Sequence, residues 1–196
     1  MRRPGRRANE RDISEAEAKP KRPVDPERAR TRTLQRAVKL LSAKPRSVAE
    51  LRERLREKEW ASEEAVEYAI TRLSEYGYLN DEQFALGYAS ARVRQRAVGR
   101  GRLARDLQMK KIDRETAEQT LEKVFTETPE TELIDRALEK RIRLRGRPAT
   151  RQETKSLFDH LLRLGFSYDL IINKVRALSS AELDEEEVAG SIGADD

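Results

Sequence analysis

Cysteine is absent from this chain, which excludes disulfides and thiolate metal sites and fits a reducing interior. Histidine occurs once, at His160 beside Leu161 and Leu162, with no second imidazole or thiol to share a metal. Aromatic residues make up only 5% of the chain, and no apolar run approaches the roughly 20 residues that cross a bilayer. No glycine-rich loop leads into Lys and Ser/Thr, so the common nucleotide phosphate loop is missing. The Arg-rich N-terminus has no apolar segment behind it and does not read as a secretory signal, so the cytoplasm is the expected location. Carboxylates are plentiful but scattered, with no pair set apart in an apolar setting. No catalytic constellation emerges, and the expectation is a protein without catalytic residues, metal or cofactor.

What the chain does hold is charge, at 39% against 37% hydrophobic, with much Leu, Ala, Arg and Glu. That balance favours helices around several small cores over one large core. One layout recurs three times. Segments beginning at Leu51, Leu103 and Leu157 each carry leucine, leucine four residues on, and a large apolar residue five further: Trp60, Ile112 and Phe166. The copies lie 52 and then 54 residues apart. Tandem helical units of this length build an extended, curved body whose product is a surface.

Helix punctuation places nine helices in three trios: 33–43, 47–58 and 62–76; 80–97, 99–110 and 113–126; 129–145, 150–164 and 167–179. Ser47/Glu50, Asn80/Gln83 and Thr150/Glu153 have capping-box spacing. Ser62, Asp113 and Ser167 are candidate N-caps, Pro129 suits a first helical position, and Gly77 suits a left-handed helix end. The expected organisation is a basic disordered tail (1–32), three-helix repeats at 33–79, 80–127 and 128–180, and an acidic disordered tail (181–196). Each trio is expected to be a small unit leaning on the next, with Trp60, Ile112 and Phe166 in the cores.

The net charge of +5 conceals an arrangement. Residues 181–196 hold seven acids and no base, and Arg92 to Arg114 holds nine bases against Asp106 and Asp113. Arg92, Arg96, Arg100, Arg102, Arg105, Lys110 and Lys111 are the candidate partner-binding residues. Arg92 and Arg96 share a helix face, and the glycines of Val98-Gly99-Arg100-Gly101-Arg102 are expected to permit a tight turn. Planar guanidinium forks suit phosphate or carboxylate. Arg141, Arg143, Arg145 and Arg147 form a second basic surface. The acidic tail is expected to compete for these arginines by folding back. Between trios, Gly77, Tyr78, Leu79, Asp81 and Phe84 read as a helix stop, an apolar clip and a new helix start, with Tyr78, Leu79 and Phe84 packed at the junction. Tyr88 leaves core and contact roles open.

The linker GYLND followed by QFA (Gly77 to Ala85) resembles the bacterial RecX family. So do the Arg96, Gly99, Arg102, Leu103 and Asp106-Leu107 run and the third-copy Leu164-Gly165-Phe166-Ser167. The resemblance covers roughly residues 33–180. It implies an all-α protein of tandem three-helix repeats, a monomer that regulates the RecA recombinase in DNA repair, recombination and the SOS response. Such a protein lodges in the RecA filament groove, limits filament growth and suppresses strand exchange, ATP hydrolysis and co-protease activity. A DNA-binding protein acting directly on single- or double-stranded DNA is the alternative. Where family members often carry Lys-Gly before the apolar residue of the second copy, this chain has Lys110-Lys111-Ile112; glycine there supplies a left-handed helix end.

Overall fold

A capped proline starts the first helix earlier than the apolar periodicity suggests. Asp25 accepts the Glu27 N–H at 3.1 Å, and Pro26 takes the first helical position, where its missing N–H costs nothing. Residues 26–32, expected in a disordered tail, are therefore helical, and Ala29 and Thr33 already face the interior. The computed structural model describes residues 25–178; the rest of the expected basic tail and the acidic tail lie outside them.

Among the described residues there are nine helices and no strand: α1 (Pro26–Ala43), α2 (Val48–Arg56), α3 (Glu63–Glu75), α4 (Asp81–Gln95), α5 (Arg100–Met109), α6 (Arg114–Glu127), α7 (Glu130–Arg145), α8 (Arg151–Leu164) and α9 (168–178). Ser47, Ser62, Asn80, Asp113 and Thr150 each accept the backbone N–H three residues on, a cap that contributes about 1 kcal/mol. The full reciprocal box forms only at Thr150/Glu153. Pro129 is the N-cap of α7 and not its first residue.

The first trio closes its own core around Leu51, Leu55, Val66, Ile70, Leu73 and Leu79. The second and third trios do not close separately. One continuous core runs from Ala85 and Leu103 through Leu121 and Leu133 to Leu161 and Ile171. Of the three equivalent large residues, Ile112 and Phe166 are buried, but Trp60 is only half-buried and stacks under the Arg32 guanidinium at 4.1 Å.

Gly99 and Gly101 are not turn glycines; neither has a positive φ. They let backbone approach backbone. The Gly99 N–H donates to Leu164 O and the Gly101 N–H to Gly165 O, both at 2.9 Å. A Cβ on Gly99 would collide with the Gly165 carbonyl and the Phe166 amide, and one on Gly165 with Arg102. The α4–α5 turn is thereby fastened to the end of α8.

Candidate anion-binding surface

The basic stretch divides into residues that hold the fold and residues that face outward. Asp106, 2% exposed, sits between two guanidiniums: Oδ2 accepts from Arg92 Nε and Oδ1 from Arg102 Nε, each at 3.1 Å. A buried carboxylate needs such partners, and here they come from α4 and from one turn back on α5. Lys110 Nζ donates to Glu50 Oε1 at 2.7 Å and lies 5.8 Å from the Tyr88 ring centre. Lys111 pairs with Glu53. Both lysines thus tie the second trio to α2, joined by Ser47 Oγ donating to Lys110 O at 2.6 Å. Lys111 has φ +58, so it occupies the left-handed position without glycine's freedom.

Arg105 donates from Nε to Gly101 O at 3.1 Å and is otherwise exposed. Arg94, Arg96 and Arg100 are exposed, and among the described residues no carboxylate lies within ion-pair distance of their side chains. Of the seven candidate residues, then, Arg96, Arg100 and Arg105 are presented, while Arg92, Arg102, Lys110 and Lys111 are engaged internally. Arg94 belongs with the presented group. The spacing of Arg102 and Asp106, four apart on one helix, is the sequence signal for that division.

In the linker, Gly77 takes φ +72 and the Tyr78 N–H returns to Leu73 O at 2.9 Å, closing α3. Leu79 enters the first core, but Tyr78, expected at the junction, is 74% exposed and meets only Tyr76 edge-on at 6.4 Å. Adjacent residues leaving an extended turn point to opposite sides, so only one of the pair can be buried. Phe84 stacks on Tyr88 at 6.2 Å. Asp81 Oδ1 accepts the Val48 N–H at 2.8 Å, clipping the start of α2 to the start of α4. Burial holds this carboxyl above its ordinary range, and the Val48 hydrogen bond opposes that effect.

The second basic run closes α7. Arg141 Nη2 donates to Ser156 Oγ at 3.2 Å, and Arg143, Arg145 and Arg147 are exposed. His160 is pushed below its usual pKa, first by burial and then by Arg141, Arg163 and Arg145. Among the described residues no group of three or more His, Asp or Glu is arranged to hold a metal, and no helix is long and apolar enough to cross a membrane.

Two family models match the chain: "RecX, first three-helix domain" over residues 34–73 and "RecX, second three-helix domain" over residues 80–121. A Regulatory protein RecX of Streptomyces coelicolor is 30% identical over 156 residues, covering 80% of this chain and 82% of that protein. One from Bacillus subtilis is 32% identical over 136 residues, covering 69% of this chain and 51% of that protein. The chain spans only about half the length of the Bacillus relatives it matches, 51% to 57% for three of them. A solved structure, RecX from Lactobacillus salivarius, shares the fold with TM-score 0.68 at 24% identity, over 77% of this chain and 97% of that one.

Proposed function

Because this chain belongs to the RecX family, we propose that it is a non-enzymatic regulator that binds the RecA nucleoprotein filament and restrains it. One observation carries the reading: Arg94, Arg96 and Arg100, at and beside a turn whose backbone is fastened to the neighbouring repeat, are exposed, and among the described residues no carboxylate reaches their side chains; Glu130 Oε1 accepts the Arg100 backbone N–H at 2.8 Å. Exposed guanidiniums without a carboxylate partner favour an anionic ligand, and a fixed turn binds with little loss of backbone entropy. The phosphates of a nucleoprotein filament offer such charge. Occupying it would slow protomer addition, and ATP hydrolysis, strand exchange and co-protease activity would fall together.

The test is the single-stranded-DNA-dependent ATPase of RecA with substoichiometric protein added. Arg96→Glu with Arg100→Glu should abolish inhibition while helix content and melting stay as in the wild type. Full inhibition by that variant would remove this surface from the mechanism. Arg102 is unsuitable for such a test, because a glutamate there would face buried Asp106.

The same free guanidiniums also suit phosphate oxygens, which keeps direct DNA binding as a second reading. Binding to DNA without RecA, falling roughly 10³–10⁵-fold between 50 and 200 mM salt, would favour it.

A further inference from the structure

We infer that the turn from α7 to α8 forms a phosphate-binding site in the third repeat, built on Arg141 and Arg145 with Arg147 at its rim. The inference rests on the reading that the partner is anionic, but it concerns a site separate from the α4–α5 turn. The local sequence, Leu144-Arg145-Gly146-Arg147-Pro148, explains how the site arises. Gly146 takes φ +78 and its N–H caps Ile142 O at 2.7 Å, so the chain turns sharply where a side chain would be strained. Proline two residues later prevents the helix from resuming at once. Arg147 is thereby brought to the same cavity as Arg141 and Arg145, which lie one turn apart on α7.

That cavity has a volume of about 240 Å³, with Ser156 of α8 on its far wall. Small-molecule pockets run to roughly 300–1,000 Å³, so a nucleoside would not be enclosed, whereas a tetrahedral anion would. Glu153 also lines it, but its Oε2 already accepts the N–H groups of Ala149 at 2.9 Å and Thr150 at 3.1 Å. Like charges one turn apart on a helix repel, and an anion between them reverses the sign. The field of these arginines reaches α8: burial first, and then Arg141, Arg163 on the same helix and Arg145, lower the pKa of the His160 ring one turn beyond Ser156.

The chain's single histidine makes the experiment clean. The titration midpoint of His160 is followed by NMR in the full-length chain, at constant ionic strength, with sulfate as a non-titrating phosphate mimic and with a short single-stranded oligodeoxynucleotide. An upward move of the midpoint is expected, because a bound anion offsets the arginines that hold it down. Response to the oligonucleotide at lower concentration than sulfate identifies a strand phosphodiester as the ligand; response to sulfate alone identifies a free phosphate. No move with either overturns the proposal. In Arg141→Gln with Arg145→Gln the midpoint should start higher and stop responding; a wild-type response there would also overturn it. Arg96→Glu with Arg100→Glu should leave the His160 response intact, so failure of this site and failure of the RecA reading are told apart.

Discussion

Arg92 on α4 donates to Asp106 on α5 at 3.1 Å, and the carboxylate it meets is almost wholly buried. Arg102 holds the other oxygen of the same group. Removing one partner of a buried ion pair costs about 3–5 kcal/mol, less where the remaining charges can reach water, as these half-buried arginines do. Asp106→Ala is expected to lower stability by about 2–4 kcal/mol in urea denaturation. A loss under about 0.5 kcal/mol, the range of ordinary surface substitutions, would show that the triad does not hold the α4–α5 turn.

Two glycines with positive φ should respond differently to alanine. At Gly146 an added methyl meets open space, so Gly146→Ala should cost only the backbone strain of φ +78 and ψ 173, about 1–3 kcal/mol. At Gly165 the left-handed penalty is joined by collision with the Arg102 backbone and Cβ, and the shared core must open to relieve it. Gly165→Ala is expected to cost at least about 2 kcal/mol more than Gly146→Ala, judged by paired thermal and chemical melts. Equal costs would mean the α8 end is not tightly docked.

Lys111 occupies a left-handed position and makes an exposed ion pair with Glu53. Exposed pairs contribute about 0–1 kcal/mol, and relief of the backbone strain about 1–2 kcal/mol. Lys111→Gly should therefore stabilise the protein slightly, by about 0.5–1 kcal/mol, raising Tm. A fall in Tm would show that the ion pair outweighs the strain.

Asp81 gives a pH test. Its folded pKa is raised by burial, so the protonated form is favoured in the folded state. Stability from this group is therefore full at pH below the unfolded carboxylate value and declines as pH rises through the raised folded value. Asp81→Asn keeps an oxygen for the Val48 N–H and removes the charge. It should match the wild type under acid conditions and exceed it at neutral pH, as read from denaturation midpoints across pH. The opposite trend would show that the start of α2 stabilises the anion more than burial penalises it.

Much of the fold was legible. The caps at Ser47, Ser62, Asn80, Asp113 and Thr150, and the helix end at Gly77, depend on residues within three or four positions of one another, so the sequence displays them directly. The candidate surface was legible as charge but not as function within that charge. Glu50 and Glu53 reach Lys110 and Lys111 across about sixty residues, a pairing that only packing reveals. Arg102 and Asp106 were readable, being one turn apart, but Arg92 joins them only when α4 and α5 meet. The glycines show the same limit: a side chain on Gly99 would meet Gly165, one on Gly165 would meet Arg102, and neither position discloses that alone. Tyr78 lies outside and Trp60 is only half-buried, because hydrophobic character does not say which side of a turn is covered.

The contact between the first and second trios is made of the Asp81 clip, the Ser47 bond and two lysine–glutamate pairs, whereas the second and third are fused through leucine, valine and phenylalanine. Electrolyte screens the exposed part of the first kind of joint and leaves the second untouched. The first joint is therefore polar and partly ionic, and the second apolar. Added salt is therefore expected to weaken the joint between the first and second trios and to leave that between the second and third unchanged.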